Sequence, residues 1–275
     1  MRPIASRSFM EEHISKIADV FAKLILVAFC VIVSQSISAS NFYLRFGVGM
    51  DQASDAIFSD RNCLNLYPYA LYGCGQGPDG LPYRSVGEFE STKNFELGLG
   101  HSVSERFRVE LMVEHRSEFE FVGRANFLAT DLQQDVATPV ETTTGLLISY
   151  MDIAEWDIAP LGEVSAYLGW GFGFVRNKIG ETRMDFPFTI TTLPESSTTD
   201  FAGSLAIGVS STFGTARLAL DAELRYTYLG EVVTGRNVGY VTWRSGVRDP
   251  LALDLDLTRS RLKRLGVNVS IRYSL

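Results

Sequence analysis

From Asn41 onward, apolar residues recur at every second position in pieces of roughly ten residues. That is the period of strands with one face in an apolar medium and the other in a polar one. Asn41 to Met50 places Phe42, Leu44, Phe46, Val48 and Met50 on one face, with Tyr43, Arg45, Gly47 and Gly49 on the other. Arg106 to Phe121 sets Phe107, Val109, Leu111 and Val113 against Arg108, Glu110, Met112 and Glu114. Glu163 to Phe174 sets Leu168, Trp170, Phe172 and Phe174 against Tyr167, Gly169, Gly171 and Gly173. Thr215 to Tyr228 sets Leu218, Leu220, Leu224 and Tyr226 against Arg217, Asp221, Glu223 and Arg225. Lys93 to His101 and Phe201 to Phe213 alternate more weakly. Thr143 to Trp156 reads as a strand without assignable faces, because Leu146–Leu147–Ile148 breaks the alternation and Asp152 interrupts it.

The last segment alternates throughout. Leu265, Val267, Val269, Ile271, Tyr273 and Leu275 share one face; Gly266, Asn268, Ser270, Arg272 and Ser274 share the other. Eleven residues at about 3.3 Å each, tilted near 45°, rise about 25 Å, the height of the apolar band of a membrane barrel. Connections at 51–92, 122–142, 179–199 and 229–258 are long, while those at 102–105, 157–162 and 213–215 are short. Eight strands with alternating long and short connections predict an all-β fold: an antiparallel up-and-down transmembrane β-barrel spanning 41–275. Both ends then lie on the periplasmic side and four long loops face outward. No segment after residue 40 holds eighteen uninterrupted apolar residues, so no helical span is expected there.

The first forty residues have a different character. Lys16 and Lys23 precede the uncharged run Leu24 to Val33, and small or polar residues follow to Ser40. A basic stretch, a ten-residue apolar run and a small-residue zone predict a cleaved signal peptide over 1–40, with cleavage near Ala39 or Ser40. The long basic stretch leaves Met10 as an alternative start. At 46% hydrophobic and 21% charged residues, the chain is too apolar for disorder and too charged for a helical membrane protein. A net charge of −7, moving to about −8 once the leader is removed, argues against a nucleic-acid binder.

Charge also decides which face points inward. The minority face carries Arg45, Glu96, Arg108, Glu110, Glu114, Arg116, Asp221, Glu223, Arg225, Arg264 and Arg272. Closing the sheet with that face inward gives a charged lumen and an apolar exterior, whereas the reverse crowds a dozen aromatics into a narrow core. Near-balanced charges in a low-dielectric interior are expected to pair. A paired network fills an eight-stranded barrel, whose interior is just wide enough for side chains. The lumen is therefore expected to be plugged, with a narrow gated small-solute channel as the alternative. Gly169, Gly171 and Gly173 are expected to leave room for long charged residues from opposite strands.

Other chemistry is sparse. Cys63 and Cys74, an even pair in an exported chain, are expected to form a disulfide in the first loop. Binding by that loop's tyrosines, or mere packing, are both open. Arg259, Arg261 and Lys263, just above the last strand's apolar span, are candidates for lipopolysaccharide phosphate contact. Trp156, Trp170, Trp243, Tyr226, Tyr228 and Tyr273 are candidates for interfacial girdles. His115 and Ser117 form an H-x-S near the outer end of the third strand. A nucleophile also needs an orienting acid, and Glu118 should point to the opposite face. No catalytic, metal or cofactor site is expected, so the chain reads as a non-enzyme.

The segments NFYLRFGVGM at Asn41, AYLGWGFGFVRNKIG at Ala166, LALDAELRYTYLGEV at Leu218 and LGVNVSIRYSL at Leu265 resemble the small outer-membrane β-barrel family. That family includes the OmpA-type transmembrane domain, OmpX-like proteins and opacity-type surface antigens. The resemblance implies that Val267, Val269, Ile271, Tyr273 and Leu275 form the signal read by the barrel-assembly machinery. Leu275 departs from the usual terminal Phe, leaving Tyr273 as the nearest aromatic. It further implies residence in the outer membrane, contact with its lipids and lipopolysaccharide, a monomer, and a structural or surface-interaction role with an extracellular ligand for the loops. Lipid A deacylases, which use His and Ser on the lipid-facing wall, give the second reading: a lipid A-modifying enzyme.

Overall fold

A computed structural model describes residues 41–52, 54–60, 75–129, 132–158, 162–213, 217–235, 237–255 and 257–275. The expected signal peptide and the Cys63–Cys74 pair lie outside these residues. Fourteen strands are described: β1 (Phe42–Asp51), β2 (Ser54–Ser59), β3 (Arg84–Phe89), β4 (Thr92–Ser102), β5 (Phe107–Ala125), β6 (Asp135–Ile158) and β7 (Gly162–Ile179). They continue with β8 (Thr182–Asp185), β9 (Thr189–Leu193), β10 (Ser196–Phe213), β11 (Leu218–Val233), β12 (Asn237–Trp243), β13 (Leu251–Leu255) and β14 (Arg259–Ser274).

Eight of them close a ring in the order β1–β4–β5–β6–β7–β10–β11–β14, with β14 returning to β1. Every pairing is antiparallel, and the seam runs from Tyr43 opposite Ser274 to Asp51 opposite Gly266. These are the eight segments predicted from periodicity. Their outward faces carry Phe46, Val48 and Met50 on β1, Leu97 on β4, Val113 on β5, and Trp170 and Phe172 on β7. Leu205, Ile207, Val267, Val269 and Ile271 continue the belt on β10 and β14. A soluble monomer rarely exposes an apolar patch beyond a few hundred Å², so an apolar exterior that encircles the ring demands lipid.

Two expectations change. The strands outrun the membrane, β6 reaching 24 residues and β5 19. The long connections are also not irregular loops, because six of the strands lie in them. Hairpin β2–β3 is inserted between the upper ends of β14 and β5. β8 extends the sheet from β6, followed by β9, β12 and β13. This outer tier has its own interior of Phe58, Phe89, Phe119, Phe121, Val136, Val140, Met184, Leu253 and Leu262, all buried. Phe58 meets Phe121 edge-on at 4.8 Å, and Phe89 meets Phe119 at 5.8 Å.

β6 receives its faces here. Thr144, Leu146, Ile148 and Tyr150 point inward, and a bulge between Asp152 and Ala154 resets the alternation. The glycines of β7 make room differently from expectation. A Cβ on Gly169 would lie 2.8 Å from the Tyr150 ring, and one on Gly173 would meet the Gly145 carbonyl of β6. They admit a neighbouring strand and its tyrosine rather than charges from across the lumen.

Candidate functional site

Strand alternation sends a charged set into the lumen from five strands. β1 supplies Arg45 and Asp51, β4 Glu96, β5 Arg108, Glu110, Glu114 and Arg116, β11 Asp221, Glu223 and Arg225, and β14 Arg264 and Arg272. Deepest in the wall, Arg45 lies 3.2 Å from Glu223 and 3.7 Å from both Glu96 and Glu110. Arg225 contacts Glu96 at 2.6 Å and Glu114 at 3.8 Å, and pairs with Glu223. Arg116 joins from the outer side, donating to Asp51 at 2.5 Å and Glu114 at 2.9 Å. These eight residues form one connected cluster of three guanidiniums and five carboxylates.

Two separate pairs lie toward the end of the ring that carries the short connections. Arg108 donates to Asp152 at 2.9 Å and stacks over the Tyr167 ring at 4.6 Å. Arg272 lies 3.5 Å from Asp221 and donates to the Ser210 hydroxyl at 2.8 Å. Tyr150 and Tyr167 cross edge-on at 5.5 Å, with Tyr150 accepting from Arg45 and Tyr167 donating to Glu223.

Arg264 stands apart from the network assigned to it. Among the described residues it meets the Gln52 and Glu90 carbonyls, at 3.1 and 2.7 Å, and the Phe119 and Phe89 rings, at 4.1 and 5.7 Å. It marks the boundary between the ionic lumen and the aromatic interior of the outer tier. The sequence reading left Asp51, Asp152 and Tyr150 out of the lumen set, and set Tyr167 on the inward face without a partner. Asp51 sat one residue beyond the predicted strand, and the other three lay on or opposite strands whose inward residues are mostly uncharged.

The remaining candidates are placed as follows. His115 shares a hydrogen bond of 3.1 Å with the Thr143 hydroxyl, and Ser117 faces the Lys93 carbonyl at 3.5 Å. A bulge between Arg116 and Phe119 leaves both Ser117 and Glu118 exposed, so the alternation expected to separate them fails there. Arg259, Arg261 and Lys263 precede the apolar stripe that begins at Leu265, and they are part of the strand itself, since β14 begins at Arg259. Arg261 and Lys263 are exposed, and Arg259 lies 3.5 Å from Glu231. Val267, Val269, Ile271 and Tyr273 share the outward face of β14, with Leu275 exposed beyond it.

On the outer tier, Asp185 accepts from Arg183 at 2.8 and 3.0 Å and from Arg244 at 2.7 Å, tying β8 to the end of β12. The hydrogen bond from Arg183, reinforced by the charge of both arginines, holds the Asp185 carboxyl below the usual carboxylate range. A depressed folded-state value contributes stability that is complete above the ordinary Asp value, about 3.9, and lost as pH falls through the folded one. Amide exchange in β8 and β9, corrected for its intrinsic pH dependence, is therefore expected to accelerate below about pH 4. Asp185→Asn should produce the same loosening at neutral pH. Equal protection at pH 3 and pH 7 would remove the tie.

No family model and no curated protein matches the sequence. Solved structures do. The outer-membrane protease OmpT of Escherichia coli aligns over 88% of this chain and 99% of its own, with a TM-score of 0.51 at 7% identity. OprG of Pseudomonas aeruginosa aligns over 86% and 96%, with a TM-score of 0.45 at 13% identity. At such identities the likeness concerns the fold. An eight-stranded antiparallel ring, an apolar belt outside and a charged interior give this chain the fold of the outer-membrane β-barrels.

Proposed function

We propose that this chain is an integral outer-membrane protein, exported through a cleaved leader, whose lumen is shut and whose outer tier is its working surface. One observation carries the reading: inside the lipid-facing belt, the ion-paired cluster is stacked directly beneath a packed aromatic interior. Side chains crossing from β1, β4, β5, β11 and β14 fill the cross-section, as an eight-stranded barrel requires. A solute would have to break several buried ion pairs and then part the Phe58–Phe89–Phe119–Phe121 packing. The structural and surface-interaction role therefore fits better than a diffusion pore. Arg261 and Lys263, exposed above Leu265, supply charge-assisted donors for lipopolysaccharide phosphates. The outward stripe Val267, Val269, Ile271, Tyr273 and Leu275 serves as the assembly signal, and the barrel works as a monomer without a catalytic residue.

Heat-dependent gel mobility of the membrane fraction tests the barrel, and planar-bilayer recording tests the closed lumen. The folded form should migrate apart from the boiled form and give no large steady conductance. Stable open-channel currents from the purified wild type would refute the plug.

A further inference from the structure

The outer tier holds a pocket that a closed lumen does not explain. β9, β12 and β13 form its wall, while the connection after β5 and the β8–β9 turn complete it, enclosing about 370 Å³. Phe127, Phe186 and Leu253 make a buried floor continuous with the tier's apolar interior. Phe188 and Leu251 stand at the rim, 77% and 50% exposed. Both belong to the tier beyond the lipid belt, so exposing them to water needs a reason.

The lining defines the ligand. Among the described residues no charged side chain lines the pocket, and its polar side chains are the Thr189 and Thr191 hydroxyls. An ion entering it would lose its hydration without a counter-charge, which excludes charged ligands. The wall is held in place from behind: Arg244 donates its Nε to the Phe186 carbonyl, and its backbone amide donates to the Phe188 carbonyl. The opening is thereby fixed before anything binds, lowering the entropic cost of association. Phe127 and Phe186 lie 6.1 Å apart at 34°, and Phe188 adds a third ring at the rim. Such rings favour an aromatic guest through offset and edge contacts. An apolar cavity of about 150 Å³ already accepts benzene, and small-molecule sites begin near 300 Å³.

We propose that this pocket is a binding site for a small neutral aromatic molecule of one or two rings, captured from the outer face. The proposal rests on the outer tier lying outside the membrane, as in the function proposed above.

The test uses the full chain in lipid nanodiscs, methyl-labelled and titrated with 2-naphthol at neutral pH. Methyl signals of Val241, Leu251 and Leu253 should shift and saturate, while lipid-facing Leu97 and Val269 drift without a plateau. Thr191→Trp, which fills the cavity from the β9 wall, should weaken the saturating response at least tenfold. Leu251→Glu, at the exposed rim, repeats the comparison where the first variant does not fold. 1-Octanol, neutral but aliphatic, should bind at least fivefold more weakly. Absence of a saturating shift, or one unchanged in both variants, overturns the site; octanol binding as tightly as naphthol overturns the aromatic class. Heat-dependent mobility of the same samples separates the two failures. A barrel that does not shift on boiling removes the membrane reading, whereas an intact barrel without saturation removes the pocket alone.

Discussion

Arg225→Met is expected to lower the unfolding free energy by about 3–5 kcal/mol, the loss typical of removing one partner from a buried ion-pair group. Arg225 touches Glu96, Glu114 and Glu223, and its cluster already holds five carboxylates against three guanidiniums. Removing the arginine worsens that imbalance, and the low-dielectric interior magnifies it. The opposite substitution should behave differently. Neither carboxylate oxygen of Glu110 receives a hydrogen bond among the described residues, and its nearest cation, Arg45, is 3.7 Å away. Glu110→Gln reduces the excess negative charge and keeps the shape, so it should be neutral or stabilising. Guanidinium unfolding in detergent, followed by gel mobility and far-ultraviolet circular dichroism, reads both. Similar midpoints for the two variants would show that the charges of the cluster are not coupled.

Val269→Arg should cost about 2–4 kcal/mol in a bilayer, the penalty for arginine on the lipid face of a barrel at mid-depth. Val269 lies halfway along the outward stripe from Leu265 to Tyr273 and is 45% exposed in the absence of lipid. Ser270→Ala, one residue on and facing the lumen, removes only the acceptor of the Arg45 Nε bond and should cost about 1 kcal/mol. Folding titrations into vesicles distinguish them. A penalty for Val269→Arg no larger than for Ser270→Ala would place that face in water and undo the barrel's orientation.

Much of the ring was legible because eight strands meet two different media, and a period of two records that contrast directly. The alternation at Val267–Asn268–Val269–Ser270 is the plainest instance. Where the interior is itself apolar, the contrast vanishes. β6 presents Leu146 and Ile148 inward and Leu147 outward, so its three consecutive apolar residues carry no face information. The outer tier suffers the same loss: Phe58 and Met184 point into an apolar interior from strands of six and four residues. Inward charges were recognisable by type, but their partners were not. Arg225 and Glu96 are 129 positions apart, and only closure of the sheet makes them neighbours. Arg264 was misassigned for the same reason, since an arginine facing carbonyls and a phenylalanine ring looks like any other arginine in the chain. The bulge beside Ser117 left no mark in the local pattern at all.

The seam between β1 and β14 has a kinetic consequence. Arg45 and Ser270 meet across 225 positions of chain, and no shorter-range pairing can substitute for theirs. Hairpins such as β10–β11 form from local contacts, but the ring cannot shut until its most distant strands find each other. The loop-closure entropy of that step falls late, and topologies dominated by such distant pairings fold slowly. Until then two strand edges stay open to any passing strand. The interval before the seam forms is therefore when this protein is most vulnerable to mispairing, and agents that shorten it should raise yield without altering final stability.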